Sequence, residues 1–213
     1  GPVSISMDRF QPELLGQTPT GMPDAESSAQ AEAYLEECMQ NHNSAGGVVE
    51  CVVDGVPAGI GEPVFDKLDA CLAKAIMSVG AVKAVEIGDG CSVSTAAGTE
   101  NNDAFYMENG QIAKKTNHAG GILGGISDGS RVVLRAAFKP TPSIAQQQKT
   151  VTRGMEETDI AIKGRHDPII VPRAVVVVEA MAALTTADLL LLSMTSRLDR
   201  IQGFFGVHNT EQL

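Results

Sequence analysis

The run from Pro172 to Arg197, PRAVVVVEAMAALTTADLLLLSMTSR, limits more than any other feature what this chain can fold into. It is too long for a strand and too apolar to face water all round. It therefore reads as a long helix with Pro172 in its first turn, the EAMAAL stretch outweighing the β preference of the valines. A membrane span would bury Glu179 and Asp188 along with Thr185 and Thr186, at real cost. The expectation is a buried core helix, and no membrane.

Upstream, the chain supplies partners for such a helix. MPDAESS sets helix-starting residues ahead of A29-QAEAYLEECMQ, where Ala31, Tyr34, Leu35, Cys38 and Met39 recur at helical steps. G47-VVECVVDGV is short and β-branched, a strand, and P57-AGIG follows as a turn. Glu62-Pro63 is expected to open a second helix, with Val64, Phe65, Leu68, Leu72, Ala75, Ile76 and Val79 along one face. A81-VKAVEI and S130-RVVLRAAFK read as strands, and Asn109-Gly110 as the turn of a hairpin. D159-I-A-I-K163 alternates like a strand. Strands and helices do not alternate in β-α units, so the fold class is α+β, an antiparallel sheet packed on long helices. Residues 1–24 and 198–213 read as loosely held.

A length of 213 residues, 43% of them hydrophobic and 20% charged, fits one large folded domain or two small ones. A net charge of −10 argues against nucleic acid or an anionic membrane as general partners, so an anionic ligand needs a local basic pocket. Cys38, Cys51, Cys71 and Cys91 form no C-x-x-C pair and read as free thiols of a reducing, cytoplasmic compartment. The opening GPVSISMDRFQPELLG lacks the basic lead and apolar stretch of a signal sequence.

Three segments carry possible chemistry. In T116-NHAGGILGGISDGS the pairs Gly120-Gly121 and Gly124-Gly125 let a backbone approach a ligand, although a tight turn between strands accounts for them equally. The order of elements is wrong for a dinucleotide fingerprint, and His118 has no partner at metal-ligand spacing. K139-PTPSI, stiffened by Pro140 and Pro142, presents Lys139, Thr141 and Ser143 at two-residue spacing, a set that suits a phosphate or a plain connector. In I162-KGRHDPIIVPRA, Pro168 pushes Asp167 toward an extended conformation. Arg165 and Asp167 then share one face and His166 takes the other. Alone, that pair reads as a surface ion pair; an anion-binding arginine beside a proton-handling aspartate needs support from elsewhere.

Taken together, V56-PAGIGEPVFDKLDACLAKA, V85-EIGDG, T116-NHAGGILGGISDGS, K139-PTPSI, K163-GRHDP and V171-PRAVVVVEAMAAL resemble the chorismate synthase family from about Ala45 to Leu192. The resemblance implies a lyase of the shikimate pathway and aromatic amino acid biosynthesis. Such a lyase converts 5-enolpyruvylshikimate 3-phosphate to chorismate and phosphate by trans-1,4 elimination, with reduced FMN as cofactor. NADPH joins it only where a flavin reductase activity is present. Carried over by position, the cofactor contacts would be Gly80, Ala81, Gly124, Lys139, Pro140, Thr141, Pro142, Ser143 and Arg165. Asp167 would be the catalytic residue, managing the proton at flavin N5, and His166 would be structural. No metal is implied.

The family chain is longer, and the half that carries its catalytic histidines and substrate arginines has no counterpart here. None of the four histidines present inherits those roles. Cys71, Ala84 and Cys91 depart from the acidic residue, glycine and aromatic usual at their positions. The chain is thus expected to be a carboxy-terminal portion, one half of a β-α-α-β sandwich. It would be inactive alone, would show an apolar face where the amino-terminal half packs, and would belong to a homotetramer when whole. The alternative is a non-catalytic binding or assembly module of the same fold.

Overall fold

The structure, a computed structural model, describes residues 1–164 and 166–206. Two compact units are distinguished. One comprises Gly1–Val49, Ala81–Lys83 and Ala137–Val177; the other comprises Glu50–Gly80, Ala84–Ala136 and the chain from Val178.

Helix α1 (Ala25–Gln40) begins where the sequence signals it, because the Asp24 carboxylate accepts the Ser27 backbone N–H at 2.8 Å. Arg9 bonds both Asp24 and Glu26, at 2.7 and 2.8 Å, which ties the segment before the helix to its first turn. Strand β1 (Gly47–Val53) follows. Helix α2 (Leu68–Met77) starts six residues later than the expected Glu62. Glu62 N donates to Asp66 O at 2.9 Å, closing a turn in which Val64 has φ 75°. Val64 and Phe65 therefore face water at 68% and 87% exposure, and only Leu68, Leu72 and Ile76 are fully buried. The helix begins where a tertiary acceptor meets its first amide: Leu68 N donates to Gly125 O at 2.7 Å.

Strand β2 (Val82–Ile87) leads through a 3-10 turn to the short helix α3 (Gly98–Asn101). Then come β3 (Phe105–Glu108), β4 (Gln111–Lys114), β5 (Ile122–Leu123), β6 (Ile126–Ser127) and β7 (Val132–Phe138). The main sheet has the order β1-β7-β2. Gly88 N donates to Val133 O and Lys139 N to Ala81 O, so β2 and β7 run antiparallel. Arg135 pairs with Glu50 and Arg131 with Asp54, and β1 is antiparallel to β7 by the same ordering. The central strand alternates strictly, burying Val132, Leu134, Ala136 and Phe138.

The expected Asn109-Gly110 turn joins β3 to β4, with φ of 50° and 79°. A further hairpin, β8 (Gln148–Val151) with β9 (Glu157–Ile160), absorbs only the start of the alternation read over 159–163. Helix α4 (Val171–Ser193) has the expected start, and α5 (Leu198–Phe204) follows it. The long helix departs from the buried core helix expected of it. Ala174, Val178, Ala182, Leu189 and Ser193 are buried, while Val176, Leu184 and Leu191 are 63%, 67% and 62% exposed. By length and composition it could cross a membrane, but Glu179 and Asp188 interrupt it. The elements and the antiparallel sheet agree with the α+β class.

Candidate functional site

In the first unit, two stretches flagged in the sequence are drawn together by a short segment after α1. Ser44 Oγ donates to Thr141 O at 2.7 Å, and Ala45 N donates to Pro168 O at 2.7 Å. Gly46 permits the approach, since a Cβ there would lie 2.5 Å from Phe138 O. The segment that follows β7 and the segment around Asp167 thus share a wall. They line a pocket of about 130 Å³ with Met39, His42, Asn43, Ser44, Ser143, Ile144, Ala145, Gly164, His166, Asp167 and Pro168.

The predicted residues other than Arg165 fall into both units. Ser143 and Asp167 line the pocket. The Lys139 backbone is held against Ala81 by a 3.0 Å bond from its N–H to Ala81 O, and Ala81 itself has φ 70°. Lys139, Pro140 and Pro142 are exposed; Thr141 is half-buried, and its Oγ1 is buried with no partner among the described residues. Gly80 and Gly124 belong to the other unit. Gly124 and Gly125 form the two-residue turn between β5 and β6, with φ of 60° and 86°, and no atom lies within 4 Å of a Cβ built on Gly124. Arg165 lies outside the described residues.

One expectation needs correction. His166 was expected to turn away from Asp167 as a structural residue on the opposite face. Both line the same pocket, because this stretch is loop rather than strand and the two-residue alternation does not apply. The partner of Asp167 was also missed. Arg173 grips its carboxylate with two bonds, of 2.7 and 3.1 Å. The signal lay in the sequence, since Arg173 follows Pro172 in the first turn of α4, six residues from Asp167.

The glycine loop of the second unit has an anchor that no motif announced. Lys114, Asp103 and Asp128 are buried, with side chains 4%, 3% and 9% exposed, and Lys114 Nζ reaches the two carboxylates at 3.5 and 2.7 Å. Asp103 also accepts bonds from Thr116 Oγ1, His118 N and Ala119 N at 2.7, 2.7 and 3.0 Å. Burial pushes its pKa up, but these bonds and the Lys114 charge outweigh it and hold the carboxyl at about 2. Burial likewise raises Asp128, and bonds from Lys114 and Ser130 bring it below the ordinary range. His118, in the same loop, has its Nδ1 2.6 Å from Asp89 Oδ2.

The chorismate synthase family profile matches residues 4–191. A chorismate synthase of Lachnoclostridium phytofermentans is 60% identical over 206 residues, covering 96% of this chain and 56% of its own. That of Archaeoglobus fulgidus is 56% identical over 181 residues, covering 84% of this chain and 50% of its own. A chorismate synthase crystal structure, 28% identical, superposes with a TM-score of 0.72 over 91% of this chain and 52% of that one. The chain therefore spans about half the length of the curated relatives it matches. It belongs to the chorismate synthase family.

Proposed function

We propose that this chain is the carboxy-terminal part of a lyase that converts 5-enolpyruvylshikimate 3-phosphate to chorismate and phosphate. The observation that carries the reading is the meeting of Ser143 and Asp167 at one pocket, in a chain that matches the family over residues 4–191. Reduced FMN, when bound, supplies electron density as the phosphate leaves. The residues fit such a ligand: Lys139 offers an ammonium, Ser143 a hydroxyl, and Thr141 a buried hydroxyl with no partner among the described residues.

Lys139, Thr141 and Ser143 bind anionic oxygens, and Pro140 and Pro142 hold the backbone that spaces them. Arg165 is the further anion contact. Gly80, Ala81 and Gly124 are the remaining cofactor contacts, where small residues admit a ring or chain close to the backbone. Asp167 would hold or pass a proton beside the flavin when it is bound, and the bidentate grip of Arg173 fixes which way its carboxylate faces. The catalytic histidines belong to the amino-terminal half, so the chain by itself does not turn over. Whole, the enzyme works as a cytoplasmic homotetramer, and its amino-terminal half covers the apolar face of α4.

The test is direct. Joined to the amino-terminal half and given chemically reduced FMN, the chain is expected to release chorismate from 5-enolpyruvylshikimate 3-phosphate; alone it releases none. No chorismate from the joined protein would overturn the lyase reading in favour of a non-catalytic module. Turnover by the chain alone would overturn the division between halves.

A further inference from the structure

The hairpin of β5 and β6 turns at Gly124-Gly125, and the two sides of that turn differ. On one side, Leu68 N donates to Gly125 O at 2.7 Å, and a Cβ on Gly61 would lie 2.6 Å from the same oxygen. That side is packed. On the other, no atom lies within 4 Å of a Cβ built on Gly124. A ligand that meets Gly124 therefore meets backbone alone. With no side chain to rotate into place, such a contact is productive only if the whole turn stands where the ligand needs it.

The base of the hairpin is tied to one buried ammonium. Lys114 Nζ donates to Asp128 Oδ2 at 2.7 Å and to Asn117 Oδ1 at 3.1 Å. Each acceptor holds one foot of the hairpin: Asn117 Oδ1 also receives Gly121 N at 2.9 Å, and Asp128 N closes the ladder on Gly121 O at 3.0 Å. From these feet only two residues on each side, Ile122-Leu123 and Ile126-Ser127, lead to the tip. A displacement at Lys114 is thus passed to Gly124 through a short paired ribbon. Stability alone does not call for such a network, since a buried ion cluster is often no more stable than apolar packing of the same volume. What directed, fully paired bonds add is a single fixed orientation of the parts they join.

We propose that Lys114, Asn117 and Asp128 are positioning residues that set where Gly124 stands against the flavin. The proposal rests on the reading of Gly124 as a cofactor contact and extends it to residues that act through the hairpin. The test uses the protein joined to its amino-terminal half. FMN is titrated into it, and binding is read from the quenching of flavin fluorescence and from the shape of the visible absorption band. The variants are Asp128→Asn, which keeps an acceptor for Ser130 N, and Asn117→Ala. Leu189→Ala, which truncates a buried side chain of α4, is the destabilised control. Each protein is compared at a temperature where its unfolding curve shows it fully folded.

Asp128→Asn and Asn117→Ala should each weaken FMN binding by roughly fivefold or more and alter the band of the bound flavin, while Leu189→Ala keeps both as in the parent. Parent affinity and band shape in both folded variants would overturn the proposal. So would losses that Leu189→Ala matches, because these would trace to stability alone. Gly124→Ala separates the positioning from the contact itself, since a methyl group on the open side should weaken flavin binding directly. If it does so while Asp128→Asn and Asn117→Ala bind as the parent does, the contact stands and the positioning falls. Flavin binding untouched by Gly124→Ala would instead remove the contact on which the positioning depends, and the chorismate assay decides the lyase reading independently.

Discussion

The glycine loop and the Asp167 segment both carry charged residues, yet they handle polarity in opposite ways. Around the loop, Lys114 Nζ meets Asp103, Asn117 and Asp128, and Asn117 in turn receives Gly121 N and donates to Arg131 O. Nearly every donor has an acceptor inside the protein. Around Asp167 the carboxylate is 46% exposed and its partner Arg173 is 76% exposed, while His166 Nε2 and Thr141 Oγ1 go without partners among the described residues. The difference separates two uses of polar groups. A network satisfied internally fixes backbone shape; groups left exposed remain available to a ligand.

The sharpest way to break this contrast is to remove a charge from each region. Lys114→Met leaves two buried carboxylates facing one another without a cation and should cost about 3–5 kcal/mol, measured as urea unfolding at neutral pH. A loss below about 1 kcal/mol would mean that water reaches the triad and that it is an ordinary surface cluster.

A second comparison lies within the loop itself. Gly120 and Gly124 have nearly the same left-handed backbone, φ 63° and 60°, but a Cβ on Gly120 would lie 2.4 Å from Gly88 N, and one on Gly124 meets nothing within 4 Å. Gly124→Ala should therefore cost only the conformational penalty, about 1–2 kcal/mol. Gly120→Ala adds a backbone clash that no side-chain rotation relieves, and should lose at least about 1 kcal/mol more. Equal losses in thermal unfolding would show that the loop yields at Gly88.

These differences bear on what could be read before the fold was known. Local signals sufficed wherever one residue type enforces a backbone shape: Asp24 at the start of α1, Asn109-Gly110 in the hairpin, Pro172 at the head of α4. They failed at Glu62-Pro63, because the start of α2 depends on Gly125 O, distant in sequence, while Val64 occupies a conformation that valine disfavours. The Lys114 triad was invisible for the same reason. Its members look like surface charges until the fold removes water from all three. In the candidate site the residue types were legible, but the alternation rule misplaced His166 once the strand ended at Ile160. The apolar composition of α4 led to an expectation of burial, whereas Val176, Leu184 and Leu191 are exposed among the described residues.

Acid sharpens the contrast without mutation. Asp103 titrates at about 2, against 3.8 for an unperturbed aspartate. A depressed folded-state value means that the stabilisation is complete above pH 4 and drains away as pH falls from about 4 toward 2. The linked loss is on the order of 2 kcal/mol. Asp103→Asn should lower stability at neutral pH and flatten the acid limb of a plot of urea midpoint against pH. An acid limb as steep in the variant as in the parent would assign the effect to other carboxylates.

The smallest effect on stability is expected at Asp167. Its bond to Arg173 is bidentate but largely solvated, so Arg173→Met should change the unfolding free energy by no more than about 1 kcal/mol. Its effect on function, in the joined protein, should be out of proportion to that. Losing the guanidinium frees the carboxylate to rotate, so kcat for chorismate formation should fall at least tenfold with little change in KM, and Arg173→Lys should recover only part of the loss because a point charge cannot grip two oxygens in a fixed plane. If turnover instead follows stability, falling only as far as the protein unfolds, then Arg173 merely decorates the surface and the exposed region resembles the buried one after all.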